Sequence, residues 1–559
     1  MTHNQHLFYI ARLVLETCTP LSIASGRTDG LADNLIVRDA NNLPAIPGSS
    51  LAGVLRHAYQ RFYDKDGTDT NTNQLFGSGK DENETGNPSF VHISWGCLHD
   101  SNDKPIEDLL DTLDSRCEND EILTNALQPL PVRRDHVKLN HRGVSDAEKQ
   151  GKFERTSLTT GHRFSVELSL WSNEENDQRW KNLLDLLQRP NFRLGGGTRR
   201  GLGKLKIVRC SQGQFNLTNE EQFNQFRALT QSLADTTQLT ELSTIEPQAQ
   251  ITVQLTPLDG YGYRFGGGVE PLIKDSKANL LAVTEHCVEW QNGTGRLAPT
   301  KKLVIPASGV KGALSHRIAY HYNALTDTFA DDKQVQQELA DYVGENNEAI
   351  KALFGYVLEK TEENDKEIAQ MGCLIFDDVY LERANQLQVI EYPHNGVDRF
   401  TGGVREGVLF SEEVVTSQQP FFVNIAIVLP SNNNQTWNIL KEHGKDNNVW
   451  KALQRALNDL VEGRLALGAG GGRGHGYFKG EWTADNEWLS LNNIQLSPSK
   501  KKATPATSPN RTAKNSVTVQ TAPVVAKSEK PNSLASYNHN SRYQHLFYRP
   551  CHQQKPQYL

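Results

Sequence analysis

Apolar-rich stretches recur along this chain between polar loops and short segments of helical character. Residues 6–17 (HLFYIARLVLET), 90–98 (FVHISWGCL) and 162–171 (HRFSVELSLW) predict strands. HAYQRFY at 57–63, HRIAYHYN at 316–323 and VWKALQRALNDL at 449–460 predict helices. The order of these elements suggests an α+β fold with a β-α-β-β-α-β core, the ferredoxin-like (RRM-like) arrangement, carrying long insertions.

The pattern occurs twice. Residues 46–57 (IPGSSLAGVLRH) return as 305–316 (IPASGVKGALSH), each after an extended apolar stretch and before a helix. Leu75-Phe76-Gly77 returns as Leu353-Phe354-Gly355. A glycine cluster at 194–204 (LGGGTRRGLGK) returns at 467–477 (LGAGGGRGHGY). Three landmarks in one order, twice, mark a duplicated unit. They divide the chain into a first module (1–210), a linker with a helix (211–247), a second module (248–490) and a tail (491–559). The tail is rich in Ser, Thr, Pro and Lys and buries too little apolar surface to offset ordering entropy, so it is expected to be disordered. The polar, basic span 131–163, with Arg133, Arg134, His136, Lys138, His141 and Arg142, predicts a protruding hairpin or loop, and 394–407 is its counterpart.

Composition bounds the function classes. The 559 residues carry a net charge of −7, but the tail holds ten Lys/Arg against Glu529 alone, which leaves about −16 for residues 1–490. Phosphate binding depends on local clusters, so the total does not exclude a nucleic-acid partner. The seven scattered cysteines form no CxxC pair, which argues against a zinc site or disulfide framework and fits a reducing cytoplasm. Neither a signal peptide nor a membrane span is expected.

Several residues have candidate chemistry. A helix starting at Ile-Pro-x-Ser offers backbone N–H groups and the hydroxyls of Ser49, Ser50 and Ser308 to a phosphate, with Lys311, Arg56 and Arg317 adding charge. The same serines also suit plain helix capping. The glycine clusters let a backbone approach a ligand, and Arg199, Arg200, Lys204, Arg473 and His475 are interleaved with them. A tight structural turn explains the glycines equally, and P-loop spacing is absent. Asp33, in the run DGLADN at 29–34, is either a turn former or a carboxylate able to hold a hard metal ion or orient a ribose hydroxyl.

Taken together, these motifs resemble the RAMP superfamily of CRISPR-associated proteins, and most closely the backbone subunit of type III effector complexes (the Cas-seven group, Csm-three-like). The likeness rests on 46–53, 75–77 and 195–203 in the first half, and on 305–312, 353–355, 395–402 (NGVDRFTG, with Arg399) and 468–476 in the second. The resemblance implies a palm that grips the crRNA guide and a thumb that wedges between guide and target RNA. It also implies cleavage of the target with Mg²⁺ or another divalent cation, a loop aspartate and the ribose 2′-hydroxyl. By spacing that aspartate falls on Asp33, which is also the candidate metal ligand. The nearest second-half position is Glu285, with Glu270 and Asp275 farther upstream. Implied partners are crRNA, target RNA, neighbouring backbone subunits and a large Cas-ten-type subunit. Two alternatives stay open, a non-cleaving RNA-binding scaffold and a metal-independent precursor-processing endoribonuclease using a histidine such as His57 or His316.

Overall fold

The computed structural model describes residues 5–28, 35–64, 70–79, 86–110, 116–129, 132–140, 143–145, 151–245, 248–329, 331–332, 335, 339–358, 368–382, 387–429, 440 and 447–498. Asp33 and residues 499–559 lie outside them, whereas the start of the expected disordered tail is ordered, with Ile494 and Leu496 packed into the second module's core.

The first module is built from β1 (Leu7–Thr17), α1 (Gly48–Tyr63), β2 (Val91–Ile93), β3 (Arg163–Ser172), α2 (Gln178–Leu187) and β4 (Leu205–Asn216). Its strands lie side by side in the order β2-β3-β1-β4, all antiparallel. A linker helix, α3 (Glu220–Arg227), follows. The second module repeats the plan with β5 (Ile251–Pro257), α4 (Ala307–Leu325), β6 (Leu374–Phe376), β7 (Phe421–Ile427), α5 (Asn448–Val461) and β8 (Phe478–Ala484). Its strand order, β6-β7-β5-β8, is the same one, again antiparallel. The α+β fold of two tandem ferredoxin-like modules is therefore the observed architecture, and the first module's last strand runs past residue 210 to Asn216.

Local sequence explains the helices. Buried Gly48, Leu51, Leu55 and Tyr59 recur at helical spacing on α1, as do Ala307, Val310, Leu314 and Ile318 on α4. Asp177 caps α2 by accepting from the Arg179 amide, and Asn447 caps α5 by accepting from Val449 and Trp450. The two Ile-Pro helices start differently: their N-caps are Pro47 and Pro306, which make no side-chain cap. Ser49 and Ser308 stand inside the helix, so neither is the capping residue. Each module has its own apolar core, one drawn from residues 7–210 and one from 251–496.

The cores are separate, yet the described residues belong to one compact unit. Charge joins them. Arg134, on the hairpin Val132–Val137/Lys152–Ser157, donates to Glu285 at 2.5 and 2.8 Å and to Asp378 at 2.5 Å. Arg193 and Lys204, flanking the first glycine loop, pair with Asp377 at 2.5 and 2.8 Å. The second oxygen of Asp378 accepts from the Ala307 amide at 2.7 Å, so this carboxylate supplies the cap that Pro306 cannot. Gly201, at φ 101°, presses on the same spot, where a β-carbon would collide with Asp378 and Ala307. Trp290 completes the joint by donating to Gly161 O at 2.7 Å beneath the Arg163 guanidinium.

Candidate nucleic-acid interface

The two glycine loops are one structure made twice. Gly195, Gly197, Gly201 and Gly203 take positive φ, and so do Gly468, Gly470, Gly474 and Gly476 at the matching places. Leu194 N donates to Gly203 O as Leu467 N does to Gly476 O, and Gly196 N meets Ser22 O as Ala469 N meets Arg264 O. Each loop lies beside its module's hairpin. There His136 stacks on Phe153 and His394 on Phe410, both with ring centroids 4.9 Å apart. Arg200 lies over Phe153 and Arg473 over Phe410, 4.6 and 5.9 Å from the ring centroids.

Charge distinguishes the copies. At the first loop, Arg155, Arg199 and Arg200 gather with His136, and Lys311 reaches in from α4 of the other module. Among the described residues, no carboxylate pairs with Arg155, Arg199, Arg200 or Lys311. The Nε atoms of Arg155 and Arg199 and Nε2 of His136 are buried without a hydrogen-bond partner. Burial, with Arg200 and Arg199 adding repulsion, pulls the Lys311 ammonium down to about 8. Burial, then Arg61 and Arg193, lowers Arg199 to about 10, and burial with Arg200, Arg134 and Arg155 lowers His136 to about 4. Half-buried cations held together without a carboxylate partner suit an anion. A phosphodiester backbone supplies one, and Phe153 and Phe354, the latter 5.6 Å from Lys311 Nζ, give the site apolar walls.

Lys311 makes the site pH-dependent in two opposite senses. Between about pH 8 and the ordinary lysine value of 10.5, the folded chain binds fewer protons than the unfolded chain, so stability rises with pH there. A phosphate held there would need the charged ammonium, so RNA affinity should fall above about pH 8, approaching roughly tenfold per pH unit. Anisotropy titrations of labelled RNA across this range should show the fall in the wild type, and Lys311→Arg should abolish it.

In the second module Glu412 stands where the first has Arg155. The correspondence is fixed by register, since Leu158 and Val415 exchange backbone hydrogen bonds with Leu21 and Tyr263 respectively. Glu412 is fully buried and binds Arg264 at 3.2 Å and Arg473 at 3.0 Å, with Nε2 of His394 and of His475 lying 2.8 and 3.4 Å away. Arg473 and His475 are thus brought together around an internal carboxylate that offsets the Arg473 charge.

The other expected contacts are scattered. Arg56 donates to Gly77 O at 2.5 Å and Asn73 at 2.7 Å, fastening α1 to the Leu-Phe-Gly segment. Arg317 pairs with Asp459 at 2.5 Å, and Lys204 with Asp377. Ser49 is exposed, and Ser50 and Ser308 are half-buried. The second hairpin, Val389–His394/Phe410–Val415, ends in a turn ordered by Asp398, whose carboxylate accepts from the amides of Phe400 and Thr401. Arg399 and Phe400, the latter 99% exposed, crown it.

Glu285 takes a different place from the one its spacing suggested. Val304 N bonds Val283 O as Ala45 N bonds Val37 O, which sets Glu285 opposite Asp39. In sequence alone, counting two residues back from each of Leu281 and Leu35 pairs Asn279 with Asp33, which lies outside the described residues. Glu285 is buried, bound to Arg134 and at 2.8 Å to the Tyr380 hydroxyl, so its carboxylate belongs to the joint. Asn279 accepts from the Ser411 amide at 2.9 Å and steadies the hairpin base. Sequence reading missed Arg155, Asp377 and Asp378; only the register across modules reveals that Arg155 exchanges with Glu412.

Other arrangements carry no chemistry. Asp103, His99 and Ser165 stand in relay order at 2.8 Å steps, but His99 and Ser165 are 1% and 2% exposed, out of reach of a substrate. Among the described residues no group of three or more His, Cys, Asp or Glu is placed to hold a metal ion, and no helix is long and apolar enough to cross a membrane.

Comparison with known proteins supports the repeat. No curated protein matches the chain. The RAMP superfamily model matches residues 14–206 and again 291–479, one match in each ferredoxin-like module. With both modules matched over most of the chain, this protein belongs to the RAMP superfamily, as a two-module, CRISPR-associated, RNA-binding member.

Proposed function

We propose that this chain is a crRNA-binding backbone subunit of a type III effector complex, with its main phosphate grip at the joint between the modules. The uncompensated cluster of Arg155, Arg199, Arg200 and Lys311 carries this reading, because an RNA backbone is the polyanion that a CRISPR-associated RNA-binding protein meets. The exposed hairpin tip with Arg399 and Phe400 supports a thumb that contacts the guide–target duplex, since an aromatic at a tip suits stacking on bases. Neighbouring backbone subunits and a large Cas-ten-type subunit are the expected protein partners.

Target cleavage is assigned to the first module. Asp33 would take the proton from a ribose 2′-hydroxyl as O2′ bonds to the adjacent phosphorus and the P–O5′ bond breaks, with solvent protonating O5′. The products are a 2′,3′-cyclic phosphate and a 5′-hydroxyl. A divalent cation, when bound, would offset charge developing on the phosphate. The second module is assigned guide and target binding only, because its candidate carboxylate, Glu285, is buried against Arg134 and the residue that sequence count pairs with Asp33 is the non-ionising Asn279. Cleavage of labelled complementary RNA by the assembled complex tests this, with Mg²⁺ and with EDTA. Asp33→Ala should remove one cut while guide binding persists, and Asn279→Ala should leave the cut pattern unchanged. An unchanged pattern in Asp33→Ala would favour the scaffold reading.

A further inference from the structure

The anion site at the joint has a sulfur at its edge. Met371, the last residue of the hairpin Gly355–Leu358/Ile368–Met371, is 60% exposed, and its Sδ lies 4.0 Å from Nη2 of Arg199. It is one of two methionines in the chain, the other being Met1. The second glycine loop has Gly472 in the place of Arg199, so only the first loop offers a cation at this position.

Arg199 is poorly provided with acceptors. Its Nη1 donates to Leu374 O at 3.5 Å, and its Nε is buried without a partner. A thioether is a weak acceptor and leaves the Nη2 donors nearly unsatisfied. A half-buried guanidinium in this state gains from any strong acceptor brought within reach. A phosphate oxygen is one. A sulfoxide oxygen is another, and it forms on the atom that already faces the guanidinium. Attached to Sδ, it can stand about 2.8 Å from Nη2, the length of a charge-assisted hydrogen bond.

We infer that Met371 is an oxidation site that regulates the anion site, its sulfoxide engaging the Arg199 donors that would otherwise hold a phosphate. Hydrogen peroxide supplies the oxygen. A sulfur lone pair attacks one peroxide oxygen, the O–O bond breaks, and the displaced hydroxide takes the remaining proton and leaves as water. Sulfur is oxidised by two electrons and peroxide is reduced by two. Because Met371 is exposed, the new polar group meets solvent and leaves both cores intact. Methionine sulfoxide reductases reverse the step, which makes it a switch. The switch presupposes the phosphate grip proposed above, since Arg199 belongs to that cluster.

Anisotropy titrations of labelled single-stranded RNA with the full chain, before and after dilute hydrogen peroxide, test this. Peptide mass spectrometry reports the gain of one oxygen at Met371. Oxidation should weaken binding by roughly tenfold, as loss of one charge-assisted hydrogen bond does, at an unchanged melting temperature. The reductases should restore it. Met371→Leu, which keeps every cysteine, should hold its affinity through the same treatment. Affinity that survives oxidation of Met371, a Met371 that peroxide leaves unoxidised, or a loss shared by Met371→Leu would overturn the inference. Arg200→Ala combined with Lys311→Ala separates the two readings. If that variant binds RNA weakly while oxidation changes nothing, the grip stands and the switch falls; if neither weakens binding, the grip itself falls.

Discussion

Arg134→Ala is expected to destabilise the protein by about 3–5 kcal/mol, the cost typical of removing one partner from a buried ion pair. The guanidinium is 6% exposed and serves two carboxylates, of which Glu285 is 4% and Asp378 0% exposed. Without it, both acids stay buried and lack their principal cation, and Asp378 must still cap α4. The side chain links two otherwise separate cores, so the destabilisation should fall on their coupling. Urea unfolding followed by tryptophan fluorescence should show one transition in the wild type and two in the variant, because each module keeps its own core. Replacing Arg134, Glu285 and Asp378 together with apolar residues of similar volume should recover most of the stability, since desolvation offsets much of what a buried pair contributes. A single unshifted transition in Arg134→Ala would show that apolar contacts, and not this pair, join the modules.

The second large effect concerns RNA. Arg200→Ala combined with Lys311→Ala should weaken binding of single-stranded RNA by about 100-fold at physiological salt, taking each charged interaction at roughly 1.5 kcal/mol. The slope of log K against log salt should become shallower by about 0.7 for each phosphate that the variant no longer neutralises. Stability should stay level or rise, because the variant relieves repulsion among half-buried cations. Weaker RNA binding at undiminished stability separates a binding site from a structural one. Arg473→Ala makes the control: its guanidinium is already engaged by Glu412, so its removal should cost RNA affinity far less. Equal reductions in the two variants would place the backbone grip at both loops and refute the asymmetry between Arg155 and Glu412.

The duplication, the order of strands and helices and the glycine loops were legible in the sequence, because each depends on local signals. Apolar periodicity, Ile-Pro helix starts and clustered glycines act over a few residues. Which cations stay clear of protein acceptors was not legible. Arg56, Lys204 and Arg317 satisfy the same motif logic as Arg200 and Lys311, yet the fold brings the first three against protein acceptors. An ionic side chain's role depends on what lies opposite it, and for Lys204 and Arg317 the opposing residue comes from more than a hundred positions away. Glu285 shows the same point, since spacing placed it near Asp33 while backbone register places it opposite Asp39 and in the grip of Arg134. By itself the sequence determined that two copies of one module exist and what each is made of. Tertiary structure alone decided that the first copy's glycine loop closes on the second copy's helix start, because long-range charge pairing and burial set that contact, and no local pattern encodes it.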